Sequence, residues 1–153
     1  MLNDPNSRRA LLWAGLLCGV LDITTAFVVY GLLYGVKPDR ILQGIAGGLL
    51  GPNAFAGGVA TALLGLVCHF VIAFGAALVY LLASRAIPFL IQHAVIAGAL
   101  YGVAVYFFMN LVVLPLSAAA TRPFSLKAML IGIVIHIFCV GLPISLTVHR
   151  FAR

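Results

Sequence analysis

Ala10-Leu11-Leu12-Trp13-Ala14-Gly15-Leu16-Leu17-Cys18-Gly19-Val20-Leu21-Asp22-Ile23-Thr24-Thr25-Ala26-Phe27-Val28-Val29-Tyr30-Gly31-Leu32-Leu33-Tyr34-Gly35-Val36 is an apolar run with one charged residue, Asp22. About 20 mostly apolar residues suffice for a helix to cross the hydrocarbon core of a bilayer, and this run exceeds that. Three more stretches without Lys, Arg or Glu follow, at Ile41–Ser84, Ala86–Thr121 and Ala128–His149. The third and fourth stretches hold one span each. The second holds a span and something shorter. Four transmembrane helices are therefore expected, at roughly 10–35, 58–83, 89–114 and 126–148.

The composition agrees. Hydrophobic residues make up 64% of the 153 and charged residues 8%, with a mean hydropathy of +1.21. A soluble domain is about 45–50% apolar and about 25% charged. This excludes a water-soluble globule, a disordered chain and a disulfide-stapled secreted module. Residues 1–153 read as one all-α, polytopic membrane domain whose first partner is the lipid bilayer.

Nine cations against Asp4, Asp22 and Asp39 give a net charge of +6. They are scattered over the breaks between spans and form no basic face of the kind nucleic acid needs, so nucleic acid is not an expected partner. With four spans, Arg8, Arg9, Arg85, Arg150 and Arg153 fall on the side of both termini. Lys37, Arg40, Arg122 and Lys127 fall on the other. The positive-inside rule then leans towards cytoplasmic termini.

Local chemistry marks the ends of the spans. Pro88 suits a first helical turn, where its missing N–H costs nothing, and Pro115 reads as a stop after the third span. Ser125 suits an N-cap for the fourth. The first span is too long for a signal-peptide core and has no small-x-small cleavage site, and the residue before Cys18 is not the small one a lipoprotein site wants. The N-terminus is expected to be retained.

The first and third spans share a pattern, Ala14-Gly15-Leu16-Leu17-Cys18-Gly19-Val20 against Ala97-Gly98-Ala99-Leu100-Tyr101-Gly102-Val103. The second and fourth share Gly65-Leu66-Val67-Cys68-His69 against Gly132-Ile133-Val134-Ile135-His136. Their order suggests a tandem two-helix repeat with a pseudo-twofold axis along the membrane normal. An insert at about 41–57 interrupts the first copy. It is Gly-rich and too short to span, so it reads as a re-entrant or interfacial helix, capped by Asp39 and ended by Gly51-Pro52. Gly15, Gly19, Gly65, Gly98, Gly102 and Gly132 are expected to let helices pack closely. A homo-oligomer through the Gly-x-x-x-Gly faces is the lesser use of them.

Asp22, His69, Asn110 and His136 stand out inside the spans, one per helix. Asp22, His69 and His136 lie near mid-membrane, and Asn110 lies nearer a helix end. Each His follows a glycine by four residues, which turns both towards small, bundle-facing positions. A lone ionisable group at the helix centre costs about 2.5–3.5 kcal/mol on insertion scales, so such residues are functional candidates. Several uses are open. Asp22 and the two imidazoles can carry protons, an ion or a small solute, with Thr24, Thr25, Gln43, Asn53 and Thr61 lining a half-channel. His69 and His136 can instead ligate haem b as the axial pair of an electron carrier, with the glycines making room for the macrocycle. Two His with Cys139 and Asp22 could make a zinc set. The bland use is structural, with Asp22 pinning the imidazoles in an assembly subunit. No nucleophile–base pair, phosphate loop or nucleotide fingerprint is present, so enzymatic activity is the lesser expectation.

From about Gly65 to His149 the chain resembles the YagU-like bacterial inner-membrane proteins. The residues concerned are His69, Tyr80, Pro88, Ala97-Gly98-Ala99-Leu100, Pro115-Leu116 and His136. The resemblance implies a multi-pass protein of the bacterial cytoplasmic membrane and no particular chemistry. The YagU pattern has a histidine where this chain has Asn110, which puts any shared role of that position in doubt.

Overall fold

The computed structural model describes residues 4–119 and 124–152. Arg122 and Arg153, two of the cations weighed for orientation, lie outside the described residues. In chain order the helices are α1 Pro5–Tyr34, α2 Pro38–Leu50, α3 Gly58–Ala86, α4 Ala94–Leu116 and α5 Leu126–Phe151. All but α2 are long and apolar enough to cross a membrane, and no strand occurs among the described residues. The chain is a multi-pass membrane protein, folded as an all-α four-helix bundle.

Helix ends follow from single residues. Asp4 caps α1, its carboxylate accepting from the amides of Asn6 at 3.2 Å and Ser7 at 2.9 Å, with Pro5 in the first turn. Gly35, at φ 64°, closes α1 in the left-handed region that favours glycine. The insert becomes helical earlier than the sequence suggested. Pro38 opens α2 behind an extended Lys37, so Asp39 sits inside the first turn and is not the cap. Its place in the first turn still puts a negative charge near the positive end of the helix dipole. Gly51, at φ 59°, ends α2 and leads into a 3₁₀ stretch, Gly51–Ala56. Ser125 caps α5 as expected, accepting from the Ala128 amide at 3.4 Å.

Two proline assignments are corrected. Pro88 does not open the third span. It precedes a single turn, Phe89–Gln92, and His93 breaks the path at φ −119°, ψ 50° before α4 begins. Pro115 does not stop α4 but lies within its last turn, Leu114–Leu116. The five residues before that turn, Met109–Val113, form a π-turn in which the Leu114 amide reaches the Met109 carbonyl. The same device recurs in α5, where His136–Gly141 is a π-turn, Leu142 donates to Ile137, and Pro143 follows. Both π-turns thus end at a Leu-Pro pair. Proline has no N–H to donate and its ring clashes with the carbonyl four residues back, so a local widening relieves the helix.

α1 packs between α3 and α5, and α4 packs along α5. Alanines dominate the centre (Ala10, Ala14, Ala73, Ala77 and Ala97), filled out by Tyr80, Ile144 and Val148. Tyr80 and Tyr101 bridge α3 and α4, ring centroids 4.9 Å apart. The Tyr101 hydroxyl donates to the Ala76 carbonyl at 2.8 Å. The break at His93 leaves main-chain carbonyls without helical partners. Tyr80 donates to Leu90 O at 2.9 Å and His149 Nδ1 to Ile91 O at 2.7 Å. Ser145 adds a bond to Ala94 O at 2.8 Å.

α2 lies on α3, and Gly65 is where they touch, main chain against main chain at Leu42 and Ala46. Gln43, only 3% exposed, donates to Gly58 O at 3.0 Å and accepts from Arg40 at 3.3 Å. The Ala118 amide, past the end of α4, donates to Gly48 O at 2.9 Å.

Candidate functional site

Large apolar side chains such as Leu32, Val59 and Leu116 stand exposed on the outer faces of the helices. Of the residues singled out from sequence, His69 and His136 lie along two different seams between helices.

The first seam joins α1 and α3. His69 Nε2 lies 2.9 Å from Gly19 O. A carbonyl can only accept, so Nε2 is the donor in this bond. Around this bond, Gly15 and Gly19 lie beneath the rings of Phe74 and Phe70.

The second seam joins α1, α4 and α5. His136 Nδ1 donates to the Gly132 carbonyl of its own helix at 2.9 Å, and its ring meets Tyr106 edge-on, centroids 5.4 Å apart at 83°. Thr25 Oγ1 and Cys139 Sγ are 3.3 Å apart, a polar contact between α1 and α5. Asn110 is exposed and donates to the Tyr106 carbonyl at 2.8 Å. Asn110 and His136 each fall within a π-turn.

Asp22 stands between the two seams on α1. It is half-buried and follows Cys18 by four residues, on the same face of α1. Its carboxylate makes no hydrogen bond or ion pair among the described residues. The idea that Asp22 pins the imidazoles is corrected, because main-chain carbonyls hold both of them. On α1, His69 is level with Gly19 and Cys139 with Thr25, six residues or about 9 Å apart along the axis at 1.5 Å per residue.

This arrangement does not fit haem b held by the two histidines. They occupy different seams, and His69 has committed Nε2 to Gly19. The glycine gaps are also filled, Gly65 by the main chain of α2 and Gly132 by the Tyr106 ring. No group of three His, Cys, Asp or Glu side chains able to hold a metal occurs among the described residues, so the zinc set does not assemble either.

Of the residues expected to line a half-channel, Thr25 lies on the second seam. Gln43 and Thr61 do not. Both tie α2 and the 3₁₀ stretch to the start of α3, Thr61 by bonds to Ala54 O at 2.6 Å and Gly58 O at 3.1 Å. Thr24 and Asn53 are exposed. The glycine faces are occupied within the chain, since Gly98 and Gly102 seat the main chain of the α5 π-turn. Sequence reasoning missed Tyr106 beside His136 and the pairing of Cys139 with Thr25. The i, i+4, i+7 spacing of Cys18, Asp22 and Thr25, which puts three polar groups on one face of α1, was the available signal. No family model, curated protein or solved structure matches this chain.

Proposed function

We propose that this protein handles protons at mid-membrane, with Asp22 as the group that takes up and releases them. One observation carries this reading, namely a half-buried carboxylate in the middle of a membrane span with no partner among the described residues. Ionisable residues inside a span are functional candidates by default, and a carboxylate is a group that can bind a proton. Other groups with exchangeable protons share its face of α1, at Cys18 and Thr25, or lie across the second seam, where Cys139 meets Thr25 and His136 meets Tyr106. An ion or small polar solute at the same seam is the nearest variant.

The test is proton flux into liposomes holding the purified chain, driven by an imposed potential and read with an internal pH dye. Asp22→Asn abolishes the flux while helix content and detergent-extracted size stay unchanged. Unaltered flux in that variant removes the reading.

A structural or assembly subunit is the second reading. It is favoured by the backbone bonds of His69 and His136, which leave each imidazole one satisfied N–H. It predicts that substitutions at Asp22, His69 and His136 change stability alone.

The two halves are also proposed to be copies of one two-helix unit. Gly15 lies under Phe74 and Gly19 under Phe70, while Gly98 lies against Gly141 and Gly102 against Ile137. Shifting the odd span by 83 residues and the even span by 67 carries the first set of pairs onto the second, which supports the repeat. A bacterial cytoplasmic membrane with both termini inside is the proposed setting. It is supported by the distribution of cations and by the resemblance to YagU-like proteins, and accessibility labelling of single cysteines at each end tests it.

A further inference from the structure

We infer that Pro143 is a positioning residue for His136, holding that imidazole against Tyr106 by keeping the turn His136–Gly141 open. A π-turn contains one residue more than the α-helix it interrupts. Closing it to α geometry turns one arm of the helix against the other by about 100° and slides it about 1.5 Å, one residue's share of a 3.6-residue turn. Which arm moves follows from the packing. Below the turn, Ile144 and Val148 are fully buried, and Ser145 and His149 are bonded to the main chain at Ala94 and Ile91. Above it, no residue of Leu126–Ile135 is buried. The upper arm is therefore the one that rotates, and His136 goes with it, tied to Gly132 by its Nδ1–H.

Three features hold the turn open. Pro143 has no N–H for the Cys139 carbonyl, and its ring would strike that carbonyl in a regular helix. Gly98 and Gly102 leave room for the widened main chain at His136, Ile137, Gly141 and Leu142. Gly141 lies directly against the Gly98 carbonyl and the Gly102 main chain. Without the proline, the turn closes and Ile137 takes the place of His136 beside Tyr106. That exchanges an imidazole for an aliphatic side chain on the seam assigned to proton handling, and to that extent this inference rests on the functional reading above.

The test uses two cysteine pairs, Tyr106→Cys with His136→Cys and Tyr106→Cys with Ile137→Cys. The native thiols are removed as Cys18→Ala, Cys68→Ala and Cys139→Ser, and copper phenanthroline is applied in membranes. With Pro143 present, the 106/136 pair crosslinks in preference to 106/137. Pro143→Ala, or Pro143→Leu as a second closing variant, reverses the preference, whereas Pro115→Ala leaves it alone. An unchanged preference in both Pro143 variants overturns the inference. In the otherwise native chain, Pro143→Ala is expected to lose the flux that the native chain carries. A reversed crosslink with undiminished flux also overturns it, by making Pro143 merely structural. If the native chain carries no flux, the functional reading fails, and the crosslinks still decide where Pro143 holds position 136.

Discussion

His69 donates its Nε2–H to the carbonyl of Gly19 across 2.9 Å, joining the second span to the first near mid-membrane. The bond commits one ring nitrogen to a main-chain acceptor. His69→Leu is expected to lower bundle stability by about 1 kcal/mol, in the range of interhelical hydrogen bonds measured inside membranes. Steric-trap or denaturant titration in bicelles measures this. A loss of proton flux without any loss of stability would move His69 from the frame to the path.

The glycines should separate by what lies over them. Gly65→Ala drives a methyl group into the α2 main chain at Leu42, and Gly141→Ala drives one into the α4 main chain at Gly98. Neither neighbour can swing away, so each substitution should cost about 1–3 kcal/mol, as overpacking does. Gly15→Ala meets only the Phe74 ring, which can rotate, and should cost less. Gly44 and Gly75 face open space, so alanine at either should be neutral or stabilise by up to about 1 kcal/mol through helix propensity. Thermal unfolding in one detergent ranks the five variants. Equal losses at Gly65 and Gly44 would contradict the packing of α2 on α3.

The 3.3 Å separation of Thr25 Oγ1 and Cys139 Sγ makes Thr25→Cys a direct probe of the seam between the first and last spans. Under copper phenanthroline the new thiol should pair with Cys139. Peptide mapping should find a 25–139 crosslink, absent in the double variant with Cys139→Ser. Pairing with Cys68 instead would rearrange the helix order proposed for the bundle.

Asp4 lies outside the spans and couples the start of α1 to pH. The Ser7 hydroxyl, then the amides of Ser7 and Asn6, donate to its carboxylate and hold its pKa below the usual value of 3.8. A group whose folded pKa is depressed contributes stability that is fully present above the unfolded pKa and is lost as pH falls through the folded one. Protection of the Asn6 and Ser7 amides, corrected for intrinsic exchange, should therefore be constant above the carboxylate range and fall below it. Asp4→Ala should lack that step. An identical acid profile in Asp4→Ala would show that the cap does not set it.

The spans were legible because a bilayer imposes one requirement, a long apolar run, and four runs meet it. The short helix after the first span was legible from Gly51-Pro52, though its start was not. Pro38 decides that start, and the sequence reading began the insert at Ile41. Asp22 was legible as an intramembrane charge. The partners of the two histidines were not, because a main-chain carbonyl such as Gly19 O leaves no mark in the sequence and becomes an acceptor only through interhelical register. The break at His93 was hidden for a related reason. Nothing in Phe89–Ala94 forbids a helix, and the broken path is supported by Tyr80, Ser145 and His149 from elsewhere in the chain. The π-turns did carry a signal in the two Leu-Pro pairs. Taken alone, Pro115 reads only as a terminator.

The seal around the broken stretch before α4 also orders the way this protein is made. Tyr80, which closes Leu90, precedes its acceptor by only 10 residues, so that half of the seal can form as soon as the ribosome has released both. Ser145 and His149 follow their acceptors by 51 and 58 residues. Until the last helix has left the translocation machinery, the Ile91 carbonyl has no histidine to meet it, and α4 lacks the helix along which it packs. A nascent chain halted before residue 145 would hold three complete spans and an unfinished edge, the kind of intermediate that membrane proteases and insertases act on. Closing this seal therefore waits for α5.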